Sequence, residues 1–432
     1  MPTTSTPGHH STSGPDPTGT DPTGVEARMR RADYRRFFAA TALSRAGSQI
    51  GTLAMPLVAV ETLGATAGQM GLLSAAGTAA FLVVGLPAGS WLDRVRKRGV
   101  MVAADLARGL LLTSVPVAWA LGVLTWTQLW LVVLGTGLGT VFFDIADQSY
   151  LPHLVGRDGL TRANSQLATV RSTGSAAGPA VAGWLVQIMG APLVVAVDAV
   201  SYLWSAIWLG LVRRREPRVP PASRPSLVTD MREGLRFVVR QPVLRAVAVA
   251  GAMTNVAIAA DLAMLPLVLL RDLDLPESVL GAYLAVGGVG GLVGAASSRL
   301  LSRWLGEGRS VVLLGVVIAP AAILVPLAGT VVPVWVSALG WGVVLFKAGY
   351  DNVLLVSFRQ QITPDHLLGR MNATMRVTLT GAVTLGGLMA GLVGGALDAR
   401  AALWAAGCFT ALVWLPIWLS PLRRARTLTT VE

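Results

Sequence analysis

Apolar runs of about 20 residues recur along the chain and constrain its fold more than any other feature. A run of about that length crosses a hydrocarbon core about 30 Å thick as an α-helix. Only 13% of the 432 residues are charged, against about 25% in soluble domains. The runs lack the alternating pattern of barrel strands, and helices satisfy their own backbone hydrogen bonds in lipid. The sequence therefore predicts an all-α polytopic membrane protein.

We place twelve transmembrane helices in this pattern. The predicted spans lie near 37–61, 68–92, 100–121, 127–148, 167–189, 192–212, 246–270, 279–302, 310–328, 332–356, 372–396 and 400–420. Most of the 35 Lys and Arg residues fall in the tails and in alternate connections, which share one side of the membrane. Because basic loops are retained in the cytoplasm, both termini are expected there, in a multi-pass protein of the cell membrane. The net charge of +12 is thus a topology signal, and we expect no nucleic-acid partner.

Polar segments divide the chain further. The start of the chain repeats Asp-Pro-Thr-Gly and has the composition of a disordered segment. The longest connection ends in an amphipathic stretch, Leu227 to Val239, that is predicted to lie along the inner membrane face. The expected regions are a disordered cytoplasmic tail 1–32, a six-helix bundle 33–212, a cytoplasmic linker 213–245, a second six-helix bundle 246–420 and a cytoplasmic tail 421–432.

The two halves resemble each other at offsets of 208 or 210 residues. The matched pairs are Pro56 with Pro266, Gly71 with Gly281, Arg162 with Arg370, Asn164 with Asn372, Gly178 with Gly386, and Gly183 with Gly391. Six spans in each half have the same orientation, which indicates two parallel repeats related by an axis along the membrane normal. In that arrangement the substrate site lies near the midplane between the halves.

The connection between the second and third spans is short and strongly charged. Gly89, Asp93, Arg94, Lys97 and Arg98 fit the pattern G-x3-D-R-x-x-[RK]-[RK]. This pattern resembles the signature that major facilitator transporters carry between helices 2 and 3. In that family it forms a charge-linked latch that stabilises the outward-facing state.

The resemblance implies that Asp93 and Arg94 form a latch here. Asp144 and Asp147, at the inner end of the fourth span, are the expected partners of the basic side chains. The second half has Arg303 at the position equivalent to Asp93, so we expect a single latch in the molecule.

The fifth span contains small residues every four positions. Gly174, Gly178 and Gly183 allow close helix approach, and Pro179 introduces a bend. The stretch resembles the antiporter motif gxxxGPxxGG of drug and metabolite exporters in the same family, with Ala182 in place of one Gly. The resemblance favours export over import.

Residues 33–422 resemble the drug:proton antiporter branch that includes macrolide-efflux and enterobactin-export proteins. The stretches that support this likeness are Asp105-Leu-Ala-Arg108, Ser149-x-Leu-Pro152-x-Leu-Val155 and Asp198-Ala-Val-Ser201-Tyr202. The fourth span departs from other branches of drug antiporters, because it lacks the intramembrane arginine that they link to proton transfer.

Ionisable residues inside the spans are candidates for substrate and proton binding. Each costs about 2.5–3.5 kcal/mol at a helix centre, so it is expected to be paired or to face a cavity. Asp261 in the seventh span is the carboxylate that we expect to titrate, and Asn255 is expected to share its face. Arg45 and Gln49 are the candidates in the first span, because helices 1 and 7 line the cavity in this fold.

Three further groups have less specific interpretations. Lys347 and Asp351, at i,i+4 in the tenth span, are either a structural pair or part of the cavity. Asp105 and Arg108 are predicted to neutralise each other as a structural pair. Asp198 lies one or two turns from the outer end of the sixth span and is predicted to be hydrated.

The sequence as a whole predicts a secondary-active exporter of small hydrophobic or amphipathic compounds. It would act as a monomer, by alternating access and proton antiport, on a drug, an antibiotic or a secondary metabolite. A dedicated siderophore or metabolite exporter and a proton-coupled importer are the alternatives with the same fold. The sequence has no P-loop and no metal-spaced His/Cys set. We therefore expect no enzyme activity, catalytic residue, metal or cofactor, and the proton-motive force is expected to supply the energy.

Overall fold

The computed structural model describes residues 22–92, 95–212 and 227–424. Within these ranges twelve long helices are joined by short connections and one linker helix, Leu227–Arg240. The long helices are α1 Pro22–Leu57, α2 Ala67–Leu92, α3 Lys97–Ala120, α4 Trp126–Gly156, α5 157–189, α6 Ala191–Gly210, α7 Pro242–Pro266, α8 Glu277–Leu305, α9 Glu307–Ile318, α10 Val334–Gln361, α11 Asp365–Ala396 and α12 Ala399–Ala411. Short helical turns extend four of them: Val58–Thr62, Leu267–Asp272, Ala319–Leu324 and Leu415–Trp418.

Ten of these helices, counted over the described residues, are long and apolar enough to cross a membrane. The other two of the twelve, α1 and α5, have hydrophilic residues in mid-helix, among them Arg45 and Arg171. Both side chains line the central cavity. These charged residues of the two helices therefore face the cavity, and the predicted all-α membrane fold is confirmed.

Two helix boundaries differ from the predicted ones. The connection predicted between α4 and α5 is helical except at Gly156, whose φ of 72° lies in the left-handed region that favours glycine. At the start of the chain, α1 begins at Pro22, inside the tail predicted to be disordered up to residue 32. Good helix formers follow Val25, and they extend the helix beyond the membrane span. Residues 1–21, the Pro-rich part of the linker and the end of the C-terminal tail lie outside the described residues.

The two halves pack against each other through two equivalent helix pairs, α2 with α11 and α8 with α5. In the first pair Gly71 lies against the backbone of Gly391, and in the second Gly281 lies against the backbone of Gly183. These four glycines are two of the pairs that recur at offsets of 210 and 208 in the sequence. The structure thereby confirms two parallel six-helix repeats, with the same glycine contact made twice.

The buried apolar residues form a shared core at one end of the bundle and separate cores at the other. The shared core contains residues of both halves, such as Leu57 and Tyr283. At the opposite end one core belongs to the first half and includes Phe37, whereas another belongs to the second half and includes Tyr350. The halves therefore adhere at the predicted outer end and form separate bodies at the predicted inner end.

Candidate functional site

A cavity of about 1840 Å³ lies between the two halves. Its lining runs from Pro56 and Met70, near the shared core, to Asn164 and Arg359, near the inner helix ends. Helices α1, α2, α4, α5, α7, α8, α10 and α11 all contribute to the lining. Because the glycine contacts close the end that is predicted to be outer, the cavity extends towards the end where basic residues are concentrated.

The predicted site residues of α1 line this cavity. The guanidinium of Arg45 donates to the carboxylate of Asp147 at 2.7 Å, which joins α1 to α4. The Asp147 side chain is 8% exposed, so this ion pair is largely desolvated. Gln49 lies one turn further along α1 and packs against Gly174 and Gly178 of α5.

The small residues of the predicted antiporter motif make contacts at two levels. Gly174 and Gly178 receive Gln49 of α1, whereas Pro179 and Gly183 face Gly281 of α8. A Cβ atom on Gly281 would overlap the carbonyl oxygen of Pro179. The motif thus allows α5 to approach both a helix of its own half and a helix of the other half.

The acidic residues predicted to meet the loop after α2 have other partners in this state. Asp147 is paired with Arg45, and Asp144 lies 3.8 Å from Arg376 of α11. The Arg376 guanidinium also lies over the ring of Phe81 of α2, 4.6 Å from its centroid. In this state α1 and α11 present their arginines to α4 from within the cavity, and the pairing of Asp144 and Asp147 with the loop after α2 stays a prediction.

The latch motif itself is described in part. Gly89 lies in the last turns of α2, and Asp93 and Arg94 fall outside the described residues. Arg98 donates to the carbonyl oxygen of Leu209 at 2.9 Å and to that of Gly210. This basic residue therefore joins the start of α3 to the end of α6.

The prediction that Asp261 faces the cavity is wrong. Ile258 and Leu262 of α7 line the cavity, whereas Asp261 points away from it and is 2% exposed. One of its carboxyl oxygens is buried and has no hydrogen-bond partner in the part of the chain that the structure describes. Asn255 does line the cavity, and its amide donates to the carbonyl oxygen of Gly251 at 2.8 Å. The two residues lie on different faces of α7: Asn255 shares the cavity face with Ile258 and Leu262, and Asp261 does not.

The charged pair of α10 is formed as the spacing predicts. The Lys347 ammonium donates to Asp351, and both side chains are mostly buried. Asp351 lines the cavity, beside Asn352. The second oxygen of Asp351 is buried and has no hydrogen-bond partner among the described groups.

Sequence reasoning missed a buried charged cluster in the first half. Arg108 of α3 donates to Asp105, and its guanidinium lies over the ring of Tyr202 of α6, 4.2 Å from the centroid. Asp198, one turn before Tyr202, is 4% exposed and lines the cavity together with Arg108. The prediction that Asp198 is hydrated is therefore corrected, because Gly47 and Gly51 of α1 cover its carboxyl group.

A signal for this cluster was present in the sequence. Asp105, Arg108 and Asp198 all belong to the stretches that resemble the antiporter branch, and all lie inside predicted spans. Two carboxylates accompany a single cation, so the cluster cannot be neutral when every group is ionised. Hydropathy gives the depth of each residue but leaves open which helix faces meet.

Comparisons with known proteins agree with this architecture. The family model described as Major Facilitator Superfamily matches residues 37–358. The chain is 30% identical to the multidrug efflux pump Tap of Mycolicibacterium fortuitum over 360 residues, which cover 80% of this chain and 85% of that protein. It is 25% identical to macrolide efflux protein A of Streptococcus pyogenes over 379 residues, which cover 85% of this chain and 89% of that one.

The fold is also similar to that of a bacterial homologue of the iron transporter ferroportin, at 19% identity in its inward-facing crystal structure. That comparison covers 89% of this chain and 98% of the other and gives a TM-score of 0.69. The outward-facing structure of a bacterial ferroportin homologue gives 0.57, at 18% identity and with 89% and 98% of the two chains covered. The resemblance to the transporter family is confirmed by the family match, and the protein is a transporter rather than an enzyme. The chain belongs to the Major Facilitator Superfamily.

Proposed function

We propose that this protein exports lipophilic or amphipathic small molecules from the cytoplasm by alternating access and exchanges them for protons. The observation that carries the proposal is the cavity of about 1840 Å³ between the two halves, closed at one end by the glycine contacts. Ligand pockets are typically about 300–1,000 Å³. The cavity therefore accommodates a drug-sized compound together with water.

The chemistry of the lining favours a largely apolar ligand. Leucine is the commonest residue of the lining, and valine and methionine add further apolar side chains. Gln49, Asn255 and Asn352 add amide groups to this lining. Amides both donate and accept hydrogen bonds, so they can orient a ligand whatever the sign of its charge. The charged side chains Arg45 and Asp147 neutralise each other nearby. This lining fits a neutral or amphipathic compound better than a small inorganic ion.

The proposed direction of transport rests on charge and on the relatives. Basic residues are concentrated at the end towards which the cavity extends, and the positive-inside rule puts that end in the cytoplasm of a cell-membrane protein. The state described here is then inward-facing and ready to accept a cytoplasmic compound. Both relatives named above are efflux proteins, which favours export over uptake.

The loop after α2 has its proposed role in the opposite state. When the inner ends close, Asp147 and Asp144 would leave their present partners, Arg45 and Arg376. They would then come nearer to the loop that contains Gly89, Asp93, Arg94 and Arg98. The latch formed there would hold the inner end shut while the outer end opens. Its measurable consequence is that Asp93→Asn populates the inward-facing state more than the wild type does.

The test uses everted membrane vesicles that contain the full chain and are energised by respiration. Radiolabelled erythromycin, tetraphenylphosphonium and a catecholate siderophore are each supplied outside, on the former cytoplasmic face. We expect accumulation of at least one lipophilic compound, and its loss when an uncoupler collapses the proton gradient. Vesicles without the protein give the background.

Each alternative predicts another outcome. Accumulation that survives the uncoupler contradicts proton exchange. Accumulation of the siderophore alone would replace the drug with a dedicated metabolite as substrate. Uptake into intact cells, with no accumulation in everted vesicles, would reverse the proposed direction.

A further inference from the structure

Asp198 has an environment unlike that of an ordinary buried carboxylate. It lies in α6 about two turns after the start of the helix and is 4% exposed, yet it lines the central cavity. Both of its carboxyl oxygens lie against the glycine face of α1. A Cβ atom on Gly51 would overlap one oxygen, and a Cβ on Gly47 would lie 3.0 Å from the other. The two glycines form a space that the carboxyl group of Asp198 fills.

The charged groups around Asp198 do not balance. From α3, Arg108 is the charged group that acts on it, and Arg108 donates hydrogen bonds to Asp105 of its own helix and to Thr140 of α4. From α6, Tyr202 contributes a neutral phenol, and the Ser201 hydroxyl donates to the backbone carbonyl oxygen of Asp198 at 2.7 Å, with its oxygen 3.3 Å from a carboxyl oxygen. Among the described residues, no cation lies within salt-bridge distance of Asp198 itself.

Among the described residues, no cation of the other cavity helices pairs with Asp198: Arg171 of α5 and Arg376 of α11 also line the cavity, and Arg376 lies 3.8 Å from Asp144. The arginine of α1, Arg45, is already paired with Asp147 of α4. With all acids ionised, the cluster of Asp105, Arg108 and Asp198 thus carries one net negative charge inside the membrane. An unpaired charge there is strongly unfavourable, and one bound proton removes it.

We propose that Asp198 is the residue that carries the exchanged proton. The inference rests on the proposed function and deepens it by naming the coupling site. In the state described here the cavity that Asp198 lines extends to the inner end, so its proton is released to water on that side. In the outward-facing state, a proton from the outer medium restores the neutral carboxyl group, and the O–H bond broken on one side is re-formed on the other.

Coupling to the substrate follows from the position of α1. The face of α1 that packs on Asp198 continues into Ser48, whose hydroxyl lies 2.6 Å from that of Tyr202. Gln49, next to Ser48, lines the substrate cavity. A neutral Asp198 fits the space between Gly47 and Gly51, whereas an ionised one requires water from the cavity or a share of Arg108. Ionisation therefore alters the packing of α1 on α6, and with it the wall that the substrate contacts.

The test compares two modes of transport by the full chain in proteoliposomes. The first is accumulation of a radiolabelled probe driven by an imposed pH gradient. The second is exchange of labelled for unlabelled probe at equal pH on both sides, which needs no net proton movement. The probe is erythromycin or tetraphenylphosphonium, whichever wild-type vesicles accumulate. The variants are Asp198→Asn and, as a matched control, Asp261→Asn, which alters a buried carboxylate away from the cavity.

We expect Asp198→Asn to lose at least about 90% of the gradient-driven accumulation and to retain exchange within about twofold, since it removes the titratable group and keeps the shape. Asp261→Asn should retain both modes. If Asp198→Asn is not monodisperse after purification, Asp198→Ser, which is smaller than aspartate, gives the same comparison.

Gradient-driven accumulation by Asp198→Asn would overturn the proposal, and so would loss of both modes in a variant that remains folded. Accumulation lost in Asp261→Asn but kept in Asp198→Asn would move the proton site to α7. If the wild-type protein exchanges the probe but does not accumulate it in response to the pH gradient, proton antiport itself is contradicted. This outcome separates failure of the proposed function from failure of the assignment to Asp198.

Discussion

Each half of the protein buries a carboxylate at the same level of its first helix, but the two carboxylates come from different helices. In the first half Asp198 comes from α6 and fills the space left by Gly51 of α1. The offset of 210 places Asp261 of α7 at the position that Gly51 occupies in α1. In the second half the acid therefore belongs to the first helix of the repeat. Asp198 lines the cavity, and Asp261 does not.

This difference shows how a repeated scaffold acquires asymmetric chemistry. The glycine contacts between the halves are the same in both copies, because both copies have to close the outer end. The buried charges are not repeated: Arg108 accompanies Asp105 in the first half, and no described cation pairs with Asp261 in the second. The proposed alternating access accordingly involves both halves, whereas we propose proton exchange for one.

The largest expected effect comes from breaking the contact that both halves share. In Gly71→Leu the new side chain meets the backbone of Gly391 and Gly387, so the outer end cannot close as described. An overpacking cost of about 1–3 kcal/mol shifts the balance between the two states roughly 5- to 150-fold. Drug accumulation in everted vesicles should fall accordingly. Gly210→Leu, at a glycine with open space around it, is the control and should transport normally.

A smaller effect is expected from filling the space of Asp198. In Gly51→Ala the added methyl group overlaps the Asp198 carboxyl group and displaces it from α1. We expect a loss of about 1–3 kcal/mol in stability, seen as a lower Tm, because a packed core tolerates an added carbon poorly. Gly210→Ala adds the same carbon in open space and should leave the Tm unchanged. Equal Tm values for the two variants would show that Asp198 does not occupy this space.

The ion pair between α1 and α4 should have a comparable or smaller effect. Arg45→Ala leaves the mostly buried Asp147 without its partner, and we expect a loss of about 1–3 kcal/mol. Arg45→Lys keeps a positive charge and should recover part of the loss. Thermal unfolding of the purified protein measures both. Asn255 is the residue of the second half that is equivalent to Arg45, at the offset of 210. Asn255→Ala should therefore lower the stability less than Arg45→Ala does. An equal loss of stability would remove the distinction between the halves.

The smallest effect is expected at Asp261. Asp261→Asn keeps the shape of a side chain that is buried away from the cavity, so transport should stay within about twofold of wild type. Dose–response curves for drug resistance in a strain without its own efflux pumps measure this. A tenfold loss of resistance would restore Asp261 as a coupling residue and contradict the comparison of the halves.

Hydropathy and motif spacing predicted the features that depend on the depth and order of the helices. The twelve helices, the parallel repeats and the small residues that face other helices could be derived because lipid permits few alternatives. Side-chain direction was harder to predict. Asp261 lies between Ala260 and Leu262, and nothing in that order indicates which face meets the cavity. Asp198 was misjudged for a related reason, since its cover comes from two glycines more than 140 residues away.

Infrared difference spectroscopy of the carboxyl groups would test the central claim most directly. Spectra of the full chain in lipid are recorded before and after addition of the transported drug. The wild type should lose a protonated-carboxyl band as the drug binds and the proton leaves. The same change should be absent in Asp198→Asn and present in Asp261→Asn. The opposite result would contradict the account. If drug binding still removed the band in Asp198→Asn but caused no change in Asp261→Asn, the exchanged proton would belong to the second half.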